Sequence, residues 1–139
     1  MTSYKERLKH ITTFIFDYDG VLTDGTVLML DNGEALRSAN VKDGYALQLA
    51  VKKNYNVAVI SGGKSSSMSR RLDALNVKDY FLGVSAKREI FNKYLDEKGL
   101  STDEVLFMGD DIPDYDLMKL SAVSACPADA SEEIKSIAD

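Results

Sequence analysis

Two acidic clusters in the sequence each follow a short apolar run. Asp17 ends the run TTFIFD, and Asp19 follows with one residue between them. Side chains at this spacing point in the same direction in an extended segment. The second cluster follows the run VLFM and consists of Asp110, Asp111 and Asp114. If the two runs are neighbouring parallel strands, these carboxylates converge at one edge of a sheet, where open α/β sheets bind their ligands.

Carboxylates placed this closely repel one another unless a cation lies between them. Mg²⁺ suits such a site, because it prefers oxygen ligands and keeps several of its waters. A metal ion held by a few carboxylates can also bind the oxygens of a phosphate group. The two clusters therefore predict a Mg²⁺ site for a phosphorylated substrate.

Two further segments indicate the same kind of ligand. Ser61, Gly62 and Gly63 follow the run NVAVI, just before a predicted helix that begins near Ser65. Their hydroxyl and backbone N–H groups can approach phosphate oxygens there. Lys87 lies at the start of another predicted helix, where the helix dipole disfavours a cation. A lysine at this position indicates an anion to pair with.

Apolar runs alternate with helical patterns along the chain, as in a sheet covered by helices. Segments 12–17, 56–60 and 105–108 predict strands buried on both faces, and shorter runs at 79–82 and 122–125 add two more. A closing helix is predicted over 131–138. The pattern is typical of an α/β fold with a doubly wound, Rossmann-like parallel sheet of about five strands, in a single domain over residues 1–139.

One segment interrupts this alternation and predicts an inserted β-hairpin over about 26–41. The run TVLML leads into Asp31-Asn32-Gly33, which is a turn signal. The first arm is apolar on both faces, with Leu28 and Leu30 on one side and Val27 and Met29 on the other. A small domain cannot bury both faces, so we expect this arm to meet another subunit. The alternative is an arm folded back on its own sheet.

Composition excludes several classes of protein. A net charge of −5 argues against nucleic acid or an anionic membrane as a partner bound by bulk charge. The single Cys126 and single His10 form neither a disulfide nor a zinc site, and we expect a small buried side chain and a surface residue, respectively. No apolar run approaches the roughly 20 residues of a membrane span. These features predict a cytoplasmic protein.

In their order along the chain, these segments resemble the four motifs of the haloacid dehalogenase superfamily of phosphatases. The motifs are Asp-x-Asp-Gly-Val, Ser-Gly, Lys and Gly-Asp-Asp-x-x-Asp, and they fall between about Thr13 and Pro127. The segments Thr23-Asp24-Gly25 and Asn40-Val41-Lys42-Asp43-Gly44 are similar to the 3-deoxy-D-manno-octulosonate 8-phosphate phosphatase group. Most superfamily members carry a cap domain, but the motif spacing here leaves no room for one.

The resemblance implies a chemical role for each motif residue. Asp17 is implied to attack phosphorus and form an aspartyl phosphate, while Asp19 acts first as general acid and then as general base. Ser61 and the Gly62 N–H are implied to bind the phosphoryl oxygens. Lys87 is implied to bind phosphate as well, neutralise developing charge and orient the nucleophile.

The same resemblance implies the metal site and its surroundings. Mg²⁺ is implied to be held by the carboxylates of Asp17 and Asp110 and by the backbone carbonyl of Asp19. Asp111 and Asp114 are implied to form a supporting shell. The implied substrate is a sugar-acid phosphate of lipopolysaccharide synthesis, and the implied assembly is a homotetramer with active sites near subunit interfaces.

The carboxylate of such a substrate needs a cation or oriented N–H groups. Lys64 and Arg71 are the preferred candidates because they are nearest to residues 61–63, the phosphate loop. The other basic candidates are Arg37, Lys42 and Arg70. The sequence departs from the group at two of its usual arginines, since Gly63 follows the phosphate-binding glycine and Lys42 precedes Asp43-Gly44.

Other functions remain open at this stage. Related capless enzymes hydrolyse nine-carbon sialic-acid-type 9-phosphates. A phospho-receiver signalling domain has a similar length and acidic pocket, but its adjacent acidic pair comes first in the chain, whereas Asp110-Asp111 comes late here. A phosphomutase usually needs a cap to retain its intermediate.

Overall fold

A five-stranded parallel sheet lies at the centre of the computed structural model, which describes residues 2–139. Two short strands form a separate antiparallel hairpin. The strands are β1 (Thr13–Phe16), β2 (Leu28–Met29), β3 (Ala35–Leu36), β4 (Asn56–Ile60), β5 (Asp79–Phe81), β6 (Val105–Met108) and β7 (Val123–Ala125). The α-helices are α1 (Tyr4–Arg7), α2 (Val41–Lys52), α3 (Ser66–Ala74), α4 (Lys87–Lys98), α5 (Tyr115–Leu120) and α6 (Glu132–Ile137).

The strand order in the main sheet is β5-β4-β1-β6-β7, and every pairing is parallel. The central strand β1 pairs with both β4 and β6, so that Phe16 aligns with Val59 on one side and with Met108 on the other. The carboxyl ends of these three strands therefore lie side by side, and the residues that follow them meet. The sheet confirms the predicted α/β fold class.

Apolar side chains cover both faces of this sheet. On one face, Ile15 is fully buried with Phe91 and Phe107, whose rings meet edge to face with centroids 6.2 Å apart. On the other face, Val59 packs in a cluster with Leu72 of α3. Burial of each such side chain contributes about 1.5–3 kcal/mol, so both layers hold the central strands in place.

The hairpin is shorter than the sequence predicts. Its pairing is limited to Leu28 with Leu36 and Met29 with Ala35, and Val41 already begins α2. The side chain of Asn40 caps this helix, because its oxygen accepts hydrogen bonds from the backbone N–H groups of the second and third helical residues at 2.8 and 3.2 Å. The expected hairpin range of 26–41 was therefore too long at its end.

The structure adds two short helices to the prediction. Helix α1 contains no buried residue, so it has no apolar periodicity in the sequence. Helix α5 buries Leu117 and Met118 within only six residues, which is too short for a periodic pattern. His10 is exposed as expected, whereas Cys126 is half-buried at the margin of the core and not fully enclosed.

The hairpin does not fold back on the main sheet. Leu28 is 61% exposed and Met29 is 75% exposed, and Leu30 and Leu36 are exposed as well. Both faces of the arm are therefore uncovered in the single chain, which is the geometry the sequence predicts. None of the helices between residues 2 and 139 combines the length and the apolar character that a bilayer span requires.

Candidate active site

The predicted site residues meet at the carboxyl edge of the sheet. Asp17 follows β1, Ser61 follows β4, and Asp110 follows β6 after one glycine. Lys87 enters from the first position of α4, and Asp114 ends a short 3₁₀ turn beyond Asp110. Parallel pairing of β1 with both neighbours is what brings these distant parts of the chain together.

Lys87 lies between two carboxylates at the bottom of the site. Its Nζ is 2.8 Å from Asp114 Oδ1 and 3.1 Å from Asp17 Oδ1, and its side chain is only 9% exposed. Asp114 is completely buried, and its Oδ2 also accepts the backbone N–H of Asp110 at 3.2 Å. The backbone N–H of Tyr18 donates to Asp17 Oδ1 at 2.7 Å. One oxygen of Asp17 is thus held by two donors.

The carboxylates of this cluster hold their protons more tightly than usual. Burial raises the pKa of Asp17, and it also raises the pKa of Asp110. Burial, followed by the nearby charge of Asp17, raises the pKa of Asp114 to about 6. Burial alone would lower the pKa of Lys87, but the charges of Asp114 and Asp17 outweigh it and the pKa is raised. One lysine does not compensate the three carboxylates, so the site attracts further positive charge.

The same carboxylates satisfy the geometry of a metal site. Asp17, Asp110 and Asp114 each offer an oxygen, and these three atoms all lie within 4.8 Å of one another. The set contains only hard oxygen donors, which suits Mg²⁺ and similar divalent ions. The side chains therefore fit the ion that the sequence predicts.

Gly20 allows the loops after β1 and β6 to approach each other. It has a φ of +86°, and a Cβ at this position would overlap the carboxylate of Asp110. A Cβ on Gly109 would likewise overlap the side chain of Asp114, so this glycine allows Asp114 to pack against the loop after β6. The glycines in the two acidic motifs are therefore required by close packing of the loops.

The phosphate loop is held in place by backbone hydrogen bonds. Ser61 is buried, and its Oγ accepts the Gly63 N–H at 3.1 Å, which leaves the hydroxyl proton for a ligand. The carbonyls of Ser61 and Gly63 accept the N–H groups of Val84 and Gly83, both at 2.9 Å. Ser65 caps α3 through the N–H of Met68. The loop therefore has its shape before any ligand arrives.

Asp19 pairs with an arginine that lies far from it in the sequence. Arg37 follows the hairpin strand β3, and its Nε and Nη2 donate to the two carboxylate oxygens of Asp19 at 2.8 and 3.0 Å. The Asp19 charge raises the pKa of Arg37 through these hydrogen bonds. The two residues are 18 positions apart, so no local pattern reveals the pair. Opposite charge and the turn between them are the only signals in the sequence.

Three predicted site residues lie apart from the metal cluster. Asp111 is exposed, and its Oδ1 accepts the N–H of Ile112 at 2.8 Å. Lys64 is exposed with its aliphatic stem against Gly83. Arg71 donates to the carbonyl of Asn40 at 3.3 Å, at the start of α2. Among the residues that the structure describes, neither Lys64 nor Arg71 forms an ion pair with the carboxylates of the site.

Comparison with known proteins identifies the family. The family model of haloacid dehalogenase-like hydrolases matches residues 83–139. The 3-deoxy-D-manno-octulosonate 8-phosphate phosphatase KdsC of Salmonella typhi is 34% identical over 129 residues, which cover 93% of this chain and 69% of the Salmonella protein. The chain belongs to this family of haloacid dehalogenase-like phosphatases.

Solved structures agree with this assignment. The 3-deoxy-D-manno-octulosonate 8-phosphate phosphatase of Yersinia pestis has a TM-score of 0.92 at 29% identity, covering 96% of this hydrolase and 72% of that chain. The cobalt-bound form of the Haemophilus influenzae enzyme has a TM-score of 0.91 at 33% identity. This match covers 96% of this hydrolase and 78% of the Haemophilus chain. This hydrolase spans about two thirds of the length of the curated relatives it matches.

Proposed function

We propose that this chain is a Mg²⁺-dependent phosphatase that hydrolyses 3-deoxy-D-manno-octulosonate 8-phosphate in lipopolysaccharide synthesis. The observation that carries the proposal is the cluster of Asp17, Asp110 and Asp114 around Lys87, in a chain of this family. We propose that residues 1–139 form a single phosphatase domain without a cap, and that it works in the cytoplasm.

Asp17 is the proposed nucleophile. Tyr18 N–H and Lys87 both hold its Oδ1, so Oδ2 is the oxygen that we expect to attack phosphorus. Ser61 and the N–H of Gly62 bind the phosphoryl oxygens as the bond to Asp17 forms. Lys87 keeps the carboxylate oriented and offsets the charge that develops on the phosphoryl group. The product of this step is an aspartyl phosphate and a free sugar acid.

Asp19 is the proposed proton donor and acceptor. It gives a proton to the leaving sugar oxygen when the P–O bond breaks, and it later takes a proton from the water that hydrolyses the aspartyl phosphate. Its carboxyl group follows Asp17 on the same loop, which keeps both steps within one short segment.

The metal site is proposed to use the carboxylates of Asp17 and Asp110 and the carbonyl oxygen of Asp19, with Asp111 and Asp114 in support. When bound, Mg²⁺ neutralises the charge of the carboxylates and of the incoming phosphate. Asp114 restrains Lys87 and the backbone of Asp110, so it keeps the other ligands in position.

Self-association is proposed to complete the site, with a homotetramer as the assembly. The exposed hairpin offers an apolar surface for a neighbouring copy, and α2 adds exposed Val41, Tyr45 and Leu49. Lys64 and Arg71 are proposed to bind the substrate carboxylate once a neighbouring copy closes the site. Because a net charge of −5 disfavours polyanionic partners, we expect neither nucleic acid nor membrane to bind.

Phosphate release from a panel of sugar phosphates tests the proposal. We expect the eight-carbon sugar-acid phosphate to be hydrolysed faster than nine-carbon and hexose phosphates, and chelation of Mg²⁺ to abolish turnover. Substitution Asp17→Asn should lower kcat at least about 10³-fold, because it removes the nucleophile while keeping the shape of the side chain. Circular dichroism and thermal melting provide the folding control.

Two results would contradict this proposal. Near-wild-type turnover by Asp17→Asn would exclude Asp17 as the nucleophile. A preference for nine-carbon acids would keep the chemistry but replace the substrate with the sialic-acid-type alternative.

A further inference from the structure

The hairpin reaches the active site through one side chain. Arg37 follows directly after β3, its side chain is only 7% exposed, and it binds both oxygens of Asp19. A third bond, from Nη1 to the carbonyl of Ala35 at 3.1 Å, ties the guanidinium to its own strand. The carboxylate of Asp19 is therefore fixed relative to the hairpin through a bidentate, charge-assisted pair.

The phosphate loop leaves room for this pair. A Cβ on Gly63 would lie 2.7 Å from Arg37 Nη2 and 2.7 Å from Asp19 Oδ2, which is closer than real contacts allow. The same position is 3.5 Å from Ser61 Oγ, so the ion pair and this hydroxyl border the same small space. The lack of a side chain at residue 63 permits the Arg37 guanidinium to occupy this space.

We infer that Arg37 is a positioning residue that holds Asp19 in the orientation needed to protonate the leaving group. This inference rests on the proposed phosphatase function. Each carboxyl oxygen of Asp19 has two lone-pair positions, and the guanidinium uses one of them on each oxygen. In this pair Asp19 is a carboxylate, and it takes up a proton from water at a free position on the opposite side. This proton moves to the sugar oxygen as the P–O bond breaks, which restores the carboxylate.

The same pair connects the hairpin to the rest of the domain. Two pairs of residues make up its ladder, and an isolated two-stranded hairpin is marginally stable in water. Its apolar side chains are exposed in the single chain, so they add little packing against the domain. The Arg37–Asp19 pair is thus a direct link between the hairpin and the catalytic loop after β1.

Leaving-group dependence separates positioning from a general structural effect. An alkyl leaving group, as in a sugar phosphate, needs a proton from Asp19, whereas the nitrophenolate released from p-nitrophenyl phosphate does not. General acid catalysis contributes about 10²- to 10⁴-fold. We expect Arg37→Ala to lower kcat/KM by about 10²-fold for the sugar phosphate and by less than about three-fold for p-nitrophenyl phosphate. A Lys restores one hydrogen bond, so Arg37→Lys should lie between Arg37→Ala and the wild type.

A double-mutant cycle tests whether Arg37 acts through Asp19. Asp19→Asn should show the same selective loss, and adding Arg37→Ala to it should cause little further loss with the sugar phosphate. The exposed Arg88, substituted as Arg88→Ala, is the matched control and should not change the ratio of the two substrates. Thermal melting of each variant identifies any that fail to fold.

The outcomes are distinguishable from failure of the proposed function. Equal losses with both substrates in Arg37→Ala and Arg37→Lys, or additive losses in the double variant, would overturn the inference. If the wild-type protein hydrolysed neither substrate, the proposed phosphatase function itself would be wrong.

Discussion

At the scale of single residues, the burial of charged side chains determines the protonation and the metal affinity of the site. Lys87 and Asp114 are both buried, and each would be costly there without the other. The pair still leaves a negative excess, because Asp17 and Asp110 share the same space. Burial, followed by the nearby charge of Asp17, raises the pKa of Asp114 to about 6, so protons compete with the metal ion for this cluster.

This competition predicts weaker Mg²⁺ binding in mild acid. With a pKa of about 6, Asp114 is mostly protonated near pH 5.5 and ionised near pH 7.5. Metal binding favours the ionised cluster, so we expect apparent Mg²⁺ affinity to fall by at least about four-fold between the higher and the lower pH. Isothermal titration calorimetry at both pH values measures the change. Equal affinities would contradict the assigned cluster.

The stability of the metal-free protein should change with pH in the opposite direction and fall as the pH rises. The pKa of Asp114 in the folded state lies above the usual value of 3.8, so the folded state retains a proton that the unfolded state releases. This stabilising contribution is present below about pH 4 and is lost as the pH rises through about 6. We expect the Tm of the chelated protein to drop over this range, and Mg²⁺ to restore it at neutral pH. A flat Tm would argue against a buried, protonated carboxyl.

At the scale of elements, the site depends on how closely neighbouring loops approach. The loops after β1 and β6 meet where Gly20 faces Asp110. The loop after β4 is joined by two backbone hydrogen bonds to the loop that leads from β5 to α4. The close approach is possible only because particular positions carry no side chain. The hairpin differs from the other elements, because the Arg37–Asp19 ion pair connects it to the site and close packing of loops does not.

Substitution of Gly20 tests the approach of the two loops. Gly20→Ala places a methyl group in the space of the Asp110 carboxylate, so we expect Mg²⁺ affinity and turnover to fall at least about ten-fold. Gly33→Ala is the matched control, because Gly33 has a similar φ of +88° and open space around its Cβ position. Both variants should lose about 1–2 kcal/mol of stability, because alanine is strained in the left-handed backbone conformation. Only Gly20→Ala should have a lower Mg²⁺ affinity. Equal metal affinity in the two variants would refute the packing argument.

At the scale of the whole molecule, the notable feature is an uncovered apolar arm on a small capless domain. Leu28 and Met29 point to opposite faces of the hairpin and are both mostly exposed. Exposed contiguous apolar surface of this kind is typical of a protein interface.

Charge placed on the arm should break the assembly. We expect Met29→Glu to convert an oligomer to a smaller species in light scattering and to lower kcat/KM for the sugar phosphate, because desolvating a carboxylate in an apolar interface is costly. Leu8→Glu, at an exposed position in the N-terminal segment, is the control and should leave the assembly intact. A wild-type protein that is monomeric and fully active at assay concentration would exclude the need for a neighbouring copy.

Much of the site could be anticipated from strand endings alone. Asp17, Ser61 and Asp110 each follow an apolar run, and parallel pairing necessarily brings such positions to one edge. The residues up to Val41 fit a strand pattern, whereas the Asn40 cap makes Val41 the start of a helix. Helix α1 carries no periodic signal, because it is short and has no buried residue.

The amino-acid sequence by itself determined the α/β class, the central strands and the motif residues of the acidic edge, because these depend on local periodicity and on where strands end. Tertiary structure alone decided the partners of the charged side chains. Arg37 reaches Asp19 through the hairpin, and Arg71 binds the start of α2. Long flexible side chains have many rotamers of similar energy, so only the surrounding fold selects which charge each one meets.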